Sequence, residues 1–356
     1  MNNNGVLSID FGTTNSYYCK CPADQIAPVG VDFGSGRDGL PTAILYRGDR
    51  EPLVGEAALH EFGEASAQER RQYRLCTQFK PDIAQSAEAA ETAADFLRTV
   101  IAQAQRQHIA LDPAQQHVIF GMPSESQGDF RTTLTEIARK AGYGQVRLLD
   151  EPKGALLYHL WRKDFSPEEA QRGILVVDFG GGTCDFAFLQ SLRVTCSWGD
   201  MELGGRLFDD LFFQWFCEQN PGVLQELQET GDAYYVHSYL CREVKEFFSL
   251  TMARDRSEVV NKSVGRCGSL RGMDWPAFME RASHYMPSPT LVSHLQGMGV
   301  RCRSVTQREE PIDLVEWFRR SLVQGFSDEA VRGGDISLVV LAGGSSQWPF
   351  VADVIA

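Results

Sequence analysis

Gly5-Val6-Leu7-Ser8-Ile9-Asp10-Phe11-Gly12-Thr13-Thr14 is echoed far downstream by Gly173-Ile174-Leu175-Val176-Val177-Asp178-Phe179-Gly180-Gly181-Gly182-Thr183. Each stretch reads as a buried apolar strand that ends in a carboxylate and turns through glycine. In such a turn the backbone N–H groups, unobstructed by Cβ atoms, can wrap a phosphate, while the aspartate at the strand end faces the accompanying cation. One such turn is a weak signal, because buried strands often end at polar turns. Two of them at domain-sized separation point to two lobes gripping one magnesium nucleotide.

The rest of the composition agrees with this reading. A chain of 356 residues is too long for one core and suits two lobes. A formal net charge of −13 with no strongly basic block argues against phosphate-backbone recognition, so nucleic acid is not an expected partner. Met1-Asn2-Asn3-Asn4 lacks a signal-peptide pattern, and no apolar run approaches the roughly 20 residues that span a bilayer. The expectation is a cytoplasmic protein without a membrane partner. Cysteines at 19, 21, 76, 184, 196, 217, 241, 267 and 302 form no C-x-x-C pair, and their number is odd. Neither a disulfide framework nor a zinc site is expected, and Cys19 and Cys21 read as reduced strand cysteines.

Along the chain, β-rich runs from Leu7 to Cys19 and from Ile26 to Tyr46 suggest a meander. Ser86 opens a helix with Ala90, Ala94, Leu97, Ile101 and Ala104 on one face. A strand from His117 to Met122, a helix carrying Phe130, Leu134, Ile137 and Ala141 with Gly142 as its cap, and a strand from Val146 to Leu149 follow. This alternation indicates an α/β architecture. Gly204-Gly205 then precedes an amphipathic stretch through Phe208, Leu211, Phe212, Trp215 and Phe216, whose helix would aim its N-terminal amides at an anion. The pattern from Arg254 to Pro311 is poor. A last buried strand, Ile336 to Ala342, runs into Gly343-Gly344-Ser345-Ser346.

These pieces, in this order, resemble the nucleotide-binding domain of the seventy-kilodalton heat-shock chaperones, within the actin, sugar-kinase and chaperone ATPase superfold. Asp10 to Ser16 matches the family's D-x-G-T-T-N-S, Asp178 to Asp185 matches D-x-G-G-G-T-x-D, and Gly343 to Pro349 matches G-G-x-x-R-x-P except at Gln347. Pro123, Arg131, Ala141-Gly142 and Asp150-Glu151-Pro152 also keep the chaperone spacing, which in the family relays nucleotide state; read locally, Pro123 ends a strand and Arg131 is a solvated helix residue.

The resemblance implies an α/β, actin-like ATPase fold of the duplicated ribonuclease H-like type, two-lobed, with mixed β-sheets flanked by helices. Lobe I would be residues 1–172 with a smaller subdomain at roughly 41–112, and lobe II residues 173–356 with a smaller subdomain at roughly 218–320. Implied ligands are ATP or ADP with Mg²⁺, and protein clients or co-chaperones are candidate partners. Asp10 and Asp178 would hold the magnesium, largely through its waters. The amides of Gly12, Gly180, Gly181 and Gly182 and the hydroxyls of Thr13, Thr14 and Thr183 would meet the phosphates. Glu151 and Asp185 would hold metal-bound or attacking water. A cation must also reach the γ-phosphate. Lys80, in Gln78-Phe79-Lys80-Pro81, is favoured over Arg70, Arg71 and Arg74, against the bland alternative of a surface lysine.

The adenine pocket departs from the pattern. The nucleoside would lie near Gly204, Gly205, Lys245, Ser249, Gly343, Gly344, Ser345 and Gln347, but Arg242 stands where the family has its acidic ribose contact and Glu246 where it has a stacking arginine. Glu cannot imitate a flat guanidinium. Gln347 replaces a second stacking arginine, so the base is held weakly, held by Trp348, or not held. The family's strand and helix after this motif, its linker and its peptide-binding β-domain are not found, which leads us to expect a shortened form or a compact relative without the peptide clamp. A chaperone-like ATPase, a degenerate nucleotide-binding scaffold or sensor, and a small-molecule kinase of the same superfold are the three functions to separate.

Overall fold

Two sheets carry the two echoed stretches, one in each of two units, Met1–Tyr158 and His159–Ala356. The structure is a computed structural model that describes residues 5–22, 27–34, 39–122, 128–191, 193–297, 303–326, 331 and 335–356.

In the first unit, β1 (Val6–Phe11) buries Leu7, Ile9 and Phe11 and turns Ser8 and Asp10 to the other face, the alternation of a half-buried strand rather than the fully buried one expected. It runs antiparallel to β2 (Asn15–Cys21), which carries two short edge strands, β3 (Val29–Gly30) and β4 (Leu40–Pro41). A separate three-stranded sheet comprises β5 (Ala43–Arg47), β6 (Arg50–Val54) and β7 (Tyr73–Thr77). On its other side β1 pairs in parallel with β8 (His117–Met122), which pairs in parallel with β9 (Gln145–Asp150).

Helix Ala87–Arg106 begins where Ser86 accepts a hydrogen bond from Ala89 N at 3.2 Å. Its buried stripe centres on Ala93, Phe96, Leu97 and Val100, with Ile101 at the margin. Phe96 meets Phe11 and Phe79 at ring separations of 5.9 and 5.8 Å, which locks the end of β1 and the residue before Lys80 onto one helix.

In the second unit, β10 (Gly173–Phe179) is buried on both faces and lies between antiparallel β11 (Cys184–Gln190) and parallel β15 (Ile336–Ala342); β12 (Arg193–Asp200) continues the sheet beyond β11. The stretch that was poor in pattern folds as a hairpin, β13 (Val260–Val264) and β14 (Gly268–Met273), followed by short helices. Helix Gly205–Gln219 is no amphipathic surface helix: Phe208, Leu211, Phe212, Phe213, Trp215 and Phe216 are all buried, so it forms the spine of the core. Trp348 packs into that core, 4.5 Å from and almost parallel to Phe278. Among the described residues no helix is long and apolar enough to cross a membrane, and none of the eight described cysteines forms a disulfide, Cys302 lying outside them.

The spine also carries two buried acids. Asp210 accepts from His237 Nε2, Tyr285 Oη and Ser288 N at 2.8 Å each, from Gln214 Nε2 at 2.9 Å and from Ser288 Oγ. Burial alone would raise its pKa, but the hydrogen bond and charge of His237, then Ser288, hold it below the usual carboxylate range. Nearby, His294 lies face to face with Tyr234 at 3.5 Å, and burial, then His237 and Arg206, push it from 6.5 down to about 3.

Asp210→Ala would strand several buried donors, and urea unfolding should report a loss of about 3–5 kcal/mol. Acid should destabilise this unit through both groups. With its pKa depressed, Asp210 contributes stability above the unfolded value that is lost as pH falls through the folded one. His294 stays neutral in the fold while the unfolded chain takes up a proton, so stability declines from about 6.5 towards about 3. His294→Gln should remove the part of the decline that begins near 6.5, and an unchanged pH profile would contradict this account.

Candidate functional site

In the first unit, Gly12 follows β1 at a turn so tight that a Cβ there would sit 2.2 Å from Asn15 O. Thr42, buried at the end of β4, pins the turn: its Oγ1 donates to Gly12 O, its N–H donates to Thr14 O, and Ser16 Oγ lies 2.8 Å from its hydroxyl. Sequence reasoning missed Thr42, whose only signal is a threonine beside Pro41 between two strand-like runs. Lys80 is no surface lysine. It is buried at the start of a 3₁₀ turn behind Phe79, and its ammonium donates to Glu151 Oε1 at 3.2 Å.

Glu151 opens helix Glu151–Arg162, where the helix dipole favours a carboxylate. Gly121 leaves room for it, since a Cβ there would approach Glu151 Cγ to 3.2 Å. Asp10 remains open to water yet has dense protein around it. Its carboxyl is pushed up to about 6, first by desolvation and then by the charge of Glu151, with Lys80 pulling the other way. Asp10, Lys80 and Glu151 are therefore one electrostatic group. Arg131 is tied down rather than simply solvated: it donates to Asp150 Oδ1 at 3.1 Å, and Lys153 approaches the other oxygen at 3.1 Å, immediately before Glu151. Pro123 lies outside the described residues.

In the second unit, the turn after β10 is built by contact between backbones. Gly205 N and Arg206 N donate to Gly180 O and Gly181 O at 3.0 and 2.8 Å, so these first amides of the spine helix clamp the turn and are not turned outward to an anion. A Cβ on Gly204 would fall 2.4 Å from Gly182 C, and one on Gly205 would fall 2.6 Å from Ser345 Oγ and 3.3 Å from Lys245 Nζ. Gly343, with φ +78°, has no room either, since its Cβ would lie 2.6 Å from Asp178 Oδ1. Ser345 Oγ donates to Gly180 O at 2.9 Å, and Thr183 Oγ1 to Asp185 Oδ2 at 2.8 Å. Gly180 to Thr183, Gly204, Gly205, Lys245, Gly343 and Ser345 thus gather around one turn.

Lys245 is buried and ion-paired with Asp209 at 2.7 Å. Desolvation raises the pKa of Asp209 against the pull of Lys245. Asp209 was also missed, although an acidic pair inside an aromatic helix is the signal for it. On the same helix as Lys245, Ser249 is buried, and Arg242 turns back to half-exposed Glu246 at 3.7 Å. Gln347 is exposed and Gly344 has open space around it. The reading in which Trp348 stacks on a base fails, because that ring is 1% exposed within the aromatic core.

The carboxylates suit a hydrated divalent cation. Asp178 and Asp185 are directly opposed across β10 and β11, on one face of the sheet, where like charges repel unless a cation intervenes. The raised Asp10 carboxyl would likewise be drawn back to its charged form by such an ion.

The glycine contacts yield a graded test. Gly204→Ala meets immovable backbone and should lower stability by about 1–3 kcal/mol and deform the turn, whereas Gly344→Ala should change melting little. Equal melting temperatures for the two variants would show that the close approach is dispensable.

Comparison with known proteins supports the same assignment. The family model described as Hsp70 protein matches residues 76–244. The chain is 23% identical over 360 residues to chaperone protein DnaK of Thermosipho melanesiensis, covering 98% of this chain and 54% of that protein. It is 24% identical over 390 residues to the chloroplastic heat shock 70 kDa protein 7 of Arabidopsis thaliana, covering 99% and 48%. Chaperone protein HscA of Pectobacterium atrosepticum is 28% identical over 276 residues, 69% of this chain and 42% of that protein. The chain spans about half the length of the curated relatives it matches. The motifs, the mixed sheets and these similarities are together consistent with a divergent Hsp70-like, chaperone-like nucleotide-binding domain of the actin-like ATPase fold.

Proposed function

We propose that the chain binds Mg-ATP and hydrolyses it slowly, with nucleotide state governing affinity for a protein client or co-chaperone in the cytoplasm. The observation that supports this most is the group formed by Asp10, Lys80 and Glu151, a buried cation held by a carboxylate beside a second, strained carboxylate. Magnesium, when bound, neutralises the β- and γ-oxygens. Asp10 and Asp178 would hold its water shell. Lys80 meets charge developing on the γ-phosphoryl, and its pairing with Glu151 fixes the ammonium before ligand arrives. Glu151 and Asp185 accept hydrogen bonds from water and orient it. Gly12, Thr13, Thr14 and Gly180 to Thr183 offer donors to the phosphates.

The second reading, a degenerate nucleotide-binding scaffold or sensor, draws on the pairing of Arg242 with Glu246 and on the burial of Trp348, which together leave no stacking side chain for the base at these positions. Calorimetric titration with Mg-ATP and Mg-ADP followed by single-turnover hydrolysis separates the two. Turnover supports the ATPase, binding without turnover supports the scaffold, and no binding of either nucleotide removes both.

Asp10→Asn and Asp178→Asn should each reduce magnesium-dependent phosphate release about a hundredfold with unchanged circular dichroism, since shape is kept and charge is lost. Unchanged release in both would mean that the aspartates are structural. Glu246→Arg combined with Gln347→Arg should tighten ATP about tenfold more than it tightens pyrophosphate, because only the base is newly contacted. Equal gains for both ligands would reduce the effect to added positive charge.

A further inference from the structure

Arg242, Lys245 and Ser249 are buried and stand three and four residues apart on helix Cys241–Arg254, the spacing that stacks side chains along one face. Lys245 is well engaged, with Asp209 Oδ1 at 2.7 Å and Gly205 O at 3.5 Å, beside the turn that follows β10. Arg242 is held more loosely. Its side chain is only 10% exposed, yet its Nε has no hydrogen-bond acceptor and lies 3.7 Å from Glu246, whose side chain is 48% exposed. Its other neighbours include the ring of Tyr239, 5.5 Å from the guanidinium carbon, and Asp209, whose carboxyl burial pushes up while Lys245 and then Arg242 pull it back.

A buried guanidinium is costly unless acceptors in its plane replace the water it has lost. The contact to Glu246 is too long for a hydrogen bond and is open to solvent screening. Arg242 thus lacks the acceptor that its burial calls for, at the position where the resemblance implies an acidic contact to ribose. The chemistry there changes with the sign of the charge. A carboxylate accepts hydrogen bonds from ribose hydroxyls and repels a phosphate placed on them, whereas an arginine cannot accept from a hydroxyl but offers a bidentate fork to a phosphate. The same exchange of an acid for arginine separates dinucleotide sites that take a free 2′-hydroxyl from those that take a 2′-phosphate.

We propose that Arg242 selects a nucleotide bearing an additional phosphate on its ribose, at the 2′- or 3′-oxygen, and that Glu246 is the carboxylate this phosphate displaces. Lys245 is neutralised by Asp209, so selection falls to Arg242. The inference names the ligand class of the nucleotide site proposed above and rests on that reading. Every group it uses belongs to the second unit.

The test is calorimetric titration of the full chain, with magnesium present, using ADP, ADP carrying a 2′-phosphate and ADP carrying a 3′-phosphate. One of the two ribose-phosphorylated ligands should bind at least about tenfold tighter than ADP, and which one does so identifies the oxygen. Arg242→Gln should bring the three ligands within about twofold of one another, and Arg242→Lys, which keeps the charge but not the fork, should restore only part of the preference. Glu246→Gln changes an exposed side chain and should raise the preference about threefold by removing the competing carboxylate. If Arg242→Gln fails to fold, a preference unmoved by Glu246→Gln overturns the proposal. ADP binding as tightly as both ribose-phosphorylated ligands, or a preference that survives Arg242→Gln, overturns it while leaving the nucleotide site intact. Absence of binding by all three ligands would overturn the nucleotide site itself, and this selection with it.

Discussion

The close approach of two stretches of bare backbone, Gly180 to Gly182 against Gly204 and Gly205, is the constraint from which the second unit is built. The carbonyls of Gly180 and Gly181 receive the first N–H groups of the spine helix, so the turn and the helix share one set of hydrogen bonds. Once the helix start is placed, its aromatic residues define the core, Asp209 falls beside Lys245, and Ser345 reaches Gly180. Side chains at Gly204 or Gly205 would separate all of these. The first unit solves the same problem with Gly12 against Asn15 and with Thr42 as the clamp.

Charge is placed as economically as backbone. Buried Lys80 pairs with partly buried Glu151, and Lys245 with Asp209 and Asp210 with His237 are buried pairs, since removing a partner would leave a charge in a medium that solvates it poorly. The carboxylates near the turns are arranged differently. Asp10 is crowded by Glu151, and Asp178 faces Asp185 across two strands, so negative charge accumulates at the end of each of these strands. Ordinary structural acids are not set against each other in this way.

The glycine turns are held by the strand registers of their sheets, and Lys80 pairs with Glu151. On helix Cys241–Arg254 Arg242 pairs with Glu246, and after Gly344 Trp348 is absorbed by the core.

Local pattern alone determined the strand-Asp-Gly turns, the strand from His117 to Met122 and the helix opened by Ser86, because each depends on residues adjacent in the chain: apolar runs, glycine freedom and a capping hydroxyl. It also reached Lys80 and Glu151 one at a time. Their pairing across 71 residues was decided by tertiary structure, as was the burial of helix Gly205–Gln219, whose apolar face looked one-sided until neighbours covered the rest. Thr42 and Asp209 were missed for the same reason, since a hydroxyl clamp and a buried acid take their full meaning from a partner far away in sequence. Trp348 could be read as a stacking ring or a core ring from its position alone. Packing against Phe278 and Phe208 decided it, because an indole gains more from a full aromatic shell than a chain-local motif can reveal.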